Sequence, residues 1–292
     1  MAALYLKDAP PRVFDVHAHY PWRREGAADF DVPTQAKIMA YTCSRLNIAK
    51  IALLGRPGED TWQATLDTWQ MFPDLVVPVA QIQLDEHTGD DVARLNDRGF
   101  RGLKITGPNR NYDDESYYSV YAVAEERKMP ILFHTGIRGG PIDFLLFPPS
   151  SAEVAEEVSR QSEAMSRGGT KSTARMQPVY LDSIGMAFPD LRIIGAHLGY
   201  GLYDSAAAIA RWRRNVSFDI SGGQVVRRHI VDRDMIKTEV PISKLVWGSD
   251  CDVAHMSREL TAWMQDFAKL GLTADEQDAI FYRNAAAIYG FE

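Results

Sequence analysis

Eight short apolar runs, most of them separated by stretches of helical character, set the strongest constraint on how this chain folds. Val13-Phe14-Asp15-Val16-His17, Lys50-Ile51-Ala52-Leu53-Leu54, residues 75–82, Gly102-Leu103-Lys104-Ile105, Pro130-Ile131-Leu132-Phe133-His134, Arg192-Ile193-Ile194-Gly195-Ala196-His197, residues 215–220 and residues 243–247 read as strands. Short, nearly continuous apolar runs suit strands buried on both faces, as in a parallel sheet covered by helices. Helices are read at 34–46, 60–72, 90–97, 115–128, 178–188 and 203–213, and two more close the chain at 257–270 and 273–289. Eight strands fit a closed α/β architecture, the (β/α)8 TIM barrel, for which about 250 residues is typical. A single domain over residues 1–292 is therefore expected. No glycine-rich dinucleotide fingerprint follows any strand, which speaks against a Rossmann arrangement.

One connection is out of proportion. Residues 135–177 follow the fifth strand, where a βα loop of about 2–6 residues is usual. The stretch holds an apolar patch, Phe144-Leu145-Leu146-Phe147, and a helical segment over 152–165. It reads as an excursion above the barrel mouth, a lid that sets specificity.

Charge and cysteine content narrow the function classes. A net charge of -7 with no basic run argues against nucleic-acid binding. No basic-then-apolar leader is visible, and no run reaches the roughly 18 apolar residues of a membrane span. Two distant cysteines, Cys43 and Cys251, make no disulfide framework, so a reducing, cytoplasmic location is expected. The expected partner is a small-molecule substrate, with a homo-oligomer left open.

The polar residues then fall in a pattern. His17 and His19 close the first strand, Lys104 ends the fourth, His134 the fifth and His197 the sixth, and Asp250 follows the eighth in Trp247-Gly248-Ser249-Asp250. Side chains two apart on a strand share a face, so His17 and His19 leave together. In a barrel the C-terminal strand ends converge on one mouth, where active sites lie. Several imidazoles and one carboxylate around one point suit zinc, manganese or iron rather than calcium. Each residue alone has a plain structural role open to it; their agreement with one geometry gives the pattern its weight. His87, His229 and His255 show no such placement. Arg138, Arg110 and Arg175 are candidates to hold a substrate carboxylate, and Tyr20 and Trp22 to wall the pocket.

Taken together, Asp-x-His-x-His at 15–19, Gly-Leu-Lys104, Phe-His134-Thr-Gly, Ala-His197-Leu-Gly and Gly-Ser-Asp250 resemble the amidohydrolase superfamily. More narrowly, the chain is similar to metal-dependent hydrolases of the aminocarboxymuconate-semialdehyde decarboxylase type. Phe188-Pro189-Asp190-Leu191 and the closing Arg283-Asn284-Ala285-Ala286-Ala287-Ile288-Tyr289-Gly290 carry the same resemblance. It implies that His17, His19, His134 and Asp250 hold one catalytic divalent metal, zinc first, with manganese or iron as alternatives. It implies that His197 acts on the substrate in a one-metal site, or completes a second site if Lys104 is carboxylated. It implies hydrolysis of a C–O or C–N bond in a lactone, ester or amide by metal-activated water, with Asp250 and His197 as the proton-handling residues. Non-oxidative decarboxylation by the same parts is the alternative, and a non-catalytic binding barrel the minor one.

Overall fold

The computed structural model describes residues 11–19, 31–137, 172–251 and 253–291, together with residues 152 and 156. Its eight strands are β1 (Val13–His19), β2 (Ile48–Gly55), β3 (Val76–Ile82), β4 (Gly102–Ile105), β5 (Ile131–Phe133), β6 (Ile193–Gly195), β7 (Val216–Asp219) and β8 (Leu245–Val246). They hydrogen-bond in sequence order, every neighbouring pair parallel. The ring closes where Val16 N donates to Trp247 O (3.2 Å) and Ala18 bridges Cys251. This is the expected (β/α)8 barrel.

Its helices form where local chemistry starts them. Asp31 accepts from Thr34 N at 2.9 Å, with Pro33 in the first turn of the helix Val32–Arg45. Thr88 and Asp91 form a capping box on Gly89–Arg98, and Thr273 and Glu276 one on Ala274–Asp278. Each box satisfies backbone donors the helix cannot use itself. Apolar outer faces of the strands pack against these helices in one continuous shell.

The barrel interior is a separate core. Phe14, Val16, Ala52, Leu54, Val77, Val79, Leu132, Ile194 and Val246 fill it, and Tyr282, Ala285 and Ala286 close it from below. The last three come from the π-helical turn Ala279–Arg283 and the helix Asn284–Tyr289. Phe14 meets Tyr289 and Phe291 with ring centroids 5.1 and 6.0 Å apart. The N-terminal mouth is thus plugged, leaving the C-terminal mouth open.

Three elements differ from the sequence reading. β1 runs on to His19 instead of ending at His17, and between Asp15 and Ala18 its register against β2 slips by one residue. A slip of one residue reverses which face a side chain occupies. Val16 therefore points into the barrel core while Ala18 packs in the outer shell, and the parity change turns both histidines inward above Val16. β6 stops at Gly195, and His197 sits in a 3-10 turn with φ 61°. A helix over Gly223–Asp232, following β7, is absent from the sequence reading; it starts on Gly222 and Gly223, both at positive φ, which masks its beginning. Most of residues 135–177 lies outside the described residues. Their two ends meet where Gly136 N donates to Met176 O (3.0 Å) and Ile137 N to Tyr200 O (2.8 Å). No described helix is long and apolar enough to cross a membrane.

The plug predicts a stability effect. Phe14→Ala should cost about 3–5 kcal/mol, the scale for deleting a fully buried phenylalanine. Urea unfolding reads this directly, and a change under 1 kcal/mol, roughly the low end for any core truncation, would show that the floor is loosely packed.

Candidate metal centre

The open mouth holds a cavity of about 700 Å³ lined by His17, His19, Lys104, His134, His197 and Asp250. Six strand-end residues picked from the sequence therefore share one space. His17 Nε2 lies 3.2 Å from Asp250 Oδ1 and 3.3 Å from Lys104 Nζ. His19 Nε2 lies 3.0 Å from the same Asp250 oxygen. His197 Nδ1 is 3.8 Å from Asp250 Oδ2. The His197 ring stacks on His17 and meets His134 edge-on, with centroids 5.2 and 5.0 Å apart. Among the described residues, His17, His197 and Asp250 offer ligand atoms all within 4.8 Å of one another, a group able to hold a metal ion. His134 Nε2 is buried with no hydrogen-bond partner among the described residues.

Backbone strain and buried hydrogen bonds aim these groups. Asp250 and His197 both adopt the left-handed region, at φ 50° and 61°, conformations that cost a non-glycine residue about 1–3 kcal/mol. Asp250 is held there as its N–H donates to His17 O at 2.7 Å. Asp15 Oδ1 accepts from His17 N (3.0 Å) and Ser249 N (2.9 Å), tying β1 to the loop after β8. At the end of β7, Asp219 receives His17 Nδ1 at 2.9 Å on one oxygen and His197 N at 2.9 Å on the other. Ser221 adds its hydroxyl to Asp219 at 2.5 Å and lies 2.9 Å from His197 Nδ1.

Burial sets the charge states. It lowers His17 to about 4, with the Lys104 cation adding to the effect. It also holds His134 well below the usual imidazole range, helped by His197 and Lys104. It brings Lys104 down to about 8, against the pull of Asp219 and Asp250, and raises Asp15 to about 6. Burial would raise Asp219 and Asp250 too, but the surrounding histidines and hydrogen bonds outweigh it and hold both well below the usual carboxylate range. The mouth at neutral pH thus presents the neutral imidazoles of His17 and His134 beside ionised carboxylates, a state suited to metal ligation.

The substrate-contact candidates divide. Tyr20, Trp22 and Arg138 lie outside the described residues. Arg110 is exposed, 3.5 Å from Asp114, and neither it nor Arg175 lines the cavity. Arg56, just after β2, does line it, with Gln81, Gln83, Thr106 and Tyr200. The sequence reading passed over Arg56, Asp219 and Ser221. The one signal available was position: an arginine and an acid at strand ends, like the residues it did select. His87 and His229 make other contacts, to Gln83 O and to the Tyr203 ring, and His255 precedes the helix Met256–Lys269.

Comparison with known proteins agrees with this architecture. The family profile described as Amidohydrolase matches residues 14–291. No curated protein matches the chain in sequence. Among solved structures, the chain is similar to a probable 2-pyrone-4,6-dicarboxylic acid hydrolase from Acinetobacter baumannii with citric acid bound. That pair has a TM-score of 0.63 and 15% identity over 96% of this chain and 100% of the other. It is similar to a 5-carboxyvanillate decarboxylase from Sphingomonas paucimobilis (TM-score 0.56, 13% identity, 96% and 99% covered). It is also similar to a dihydroorotase from Campylobacter jejuni (TM-score 0.56, 11% identity, 97% and 84% covered). At these identities the likeness is one of fold.

The approach of Gly248 to His17 gives a test of the geometry. A Cβ at Gly248 would lie 2.7 Å from His17 Cβ and 3.3 Å from His17 N. Gly248→Ala should therefore push β1 aside at a cost of about 1–3 kcal/mol. An unchanged urea midpoint would show that this contact is looser than described.

Proposed function

Since the chain belongs to the amidohydrolase family, we propose that it is a metal-dependent hydrolase that cleaves a C–O or C–N bond in a small carboxylated molecule. The observation that carries this is the convergence of His17, His19, Lys104, His134, His197 and Asp250 on one cavity at the C-terminal strand ends. Their chemistry fits a divalent metal. Imidazole nitrogens with one carboxylate suit zinc, manganese or iron, and the buried Nε2 of His134, without a hydrogen-bond partner among the described residues, is a lone-pair donor that a metal could use. His17, His19, His134 and Asp250 would hold the first ion. Lys104, if carboxylated, and His197 would hold a second. A bound metal supplies Lewis acidity, polarising a substrate carbonyl and lowering the pKa of water toward roughly 7.

The chain's own residues supply the proton transfers. Water's oxygen bonds to the carbonyl carbon, and Asp250 accepts the proton released. The C–O or C–N bond then breaks, and Asp250 passes that proton to the leaving oxygen or nitrogen. His197, stacked on His17, would stabilise the negative charge that develops on the carbonyl oxygen. Arg56 supports the carboxylated substrate: it lines the cavity with Gln81 and Gln83, and a guanidinium binds carboxylates in a two-pronged contact.

Elemental analysis with product analysis tests the reading. The purified protein should carry one metal per chain, or two with Lys104 as a carbamate. His17→Ala should lose metal and turnover together, and full occupancy in that variant would remove the ligand assignment. Carbon dioxide release without a hydrolysis product would replace hydrolysis by decarboxylation, and full function after complete chelation would leave only a binding barrel. Arg56→Met should raise KM for a carboxylated substrate by about tenfold with little change in kcat, equivalent to about 1.4 kcal/mol of binding. An unchanged KM would place the carboxylate contact elsewhere.

A further inference from the structure

We propose that Asp219 and Ser221 are positioning residues that dictate where the imidazole protons of His17 and His197 sit, leaving Nε2 of both rings as the unprotonated nitrogen. The deduction follows from counting donors. Asp219 is fully buried. Its Oδ1 receives two backbone N–H groups, from His197 at 2.9 Å and Ser221 at 3.0 Å. A backbone amide only donates, so this oxygen only accepts. The Ser221 hydroxyl, 2.5 Å from Oδ1, must then direct its single proton to it. That leaves Ser221 Oγ with lone pairs alone to offer His197 Nδ1, 2.9 Å away, and His17 Nδ1, 3.2 Å away. His197 therefore carries its proton on Nδ1.

The same carboxylate fixes His17. A carboxylate surrounded by donors stays ionised, so its Oδ2, 2.9 Å from His17 Nδ1, accepts the proton held there. His17 Nε2 is left with its lone pair beside Asp250 Oδ1 and Lys104 Nζ, at 3.2 and 3.3 Å, inside the cavity. One acid thus sets two tautomers, one on β1 and one in the turn after β6, and through the His197 amide it also holds that residue in its strained turn. The support of ligating imidazoles by a carboxylate behind them is a general device for metal sites. Here it extends, by way of one hydroxyl, to a second ring.

The consequence for chemistry rests on the proposed metal-dependent function; the proton positions do not. The test is a two-bond proton–nitrogen correlation spectrum of the full-length, metal-free protein with 15N-labelled histidine. His17→Gln and His197→Gln identify the two rings. Both rings should show protonated Nδ1 and unprotonated Nε2. Ser221→Ala should release the His197 tautomer while leaving that of His17. Asp219→Asn, which offers an N–H in place of one oxygen, should shift His17 toward the Nε2–H form and weaken zinc binding by about 10–100-fold in a chelator competition. Either wild-type ring protonated at Nε2, or tautomers unchanged in both variants, would overturn the inference. If Asp219→Asn does not fold, the wild-type spectrum and Ser221→Ala still decide it. A protein with these tautomers that binds no metal keeps the inference and removes the functional reading.

Discussion

Where β8 meets β1, the barrel both closes and assembles its chemistry. Asp15, buried in the shell, receives the amides of His17 and Ser249 on one oxygen. Asp250 N–H reaches His17 O, and His19 N–H reaches Cys251 O. These bonds set the distance between the histidine pair and Asp250, residues more than 230 positions apart in sequence. They also offset the strain of Asp250 in its left-handed conformation. A buried polar group left unpaired costs about 1–3 kcal/mol, so the seam has little freedom to settle in another arrangement. The register slip in β1 is the geometric counterpart. It lets one strand supply apolar side chains to the plugged floor and histidines to the open mouth without changing course.

Above that seam the charges are arranged against their ordinary tendencies. Burial favours neutral groups, and it keeps His17 and His134 uncharged. Asp219 and Asp250 remain ionised because donors surround them. The carboxylates of Asp219, buried, and Asp250, half-buried, face one buried amine, Lys104, across the neutral rings of His17 and His134. A cation at the centre of such a cluster completes its electrostatics, and this is the physical sense in which the site fits a metal.

Much of this was legible in the sequence because two simple periodicities survive in it. Apolar runs of strand length mark the eight strands, and polar residues at their C-terminal ends mark the mouth. His17, His19, Lys104, His134, His197 and Asp250 could be chosen by position alone, and all six line one cavity. What the sequence conceals are contacts whose partners are remote. Asp219 looks like any acid ending a strand; its role appears only when His17, 202 positions away, is placed against it. Ser221 is hidden for the same reason. The slip in β1 leaves no mark, since Val16 and His17 are both compatible with either face. Arg110 and Arg175 looked as suitable as Arg56, and only the folded chain separates an arginine paired on the surface from one on the cavity wall.

The plug under the barrel bears on how the molecule is made. Phe14 and Val16, near one end of the described chain, are sealed by Tyr282, Ala285, Ala286 and Phe291, near the other. Contacts this far apart in sequence form slowly, because the chain between them must first be ordered. During synthesis the early strands emerge with their inner faces uncovered and stay so until the helix Asn284–Tyr289 leaves the ribosome. Through that interval the nascent barrel is an open, apolar sheet with a free edge, the kind of surface on which chaperones act and from which aggregation starts. Completion of the inner core therefore waits on a segment more than 260 residues after the strand it covers.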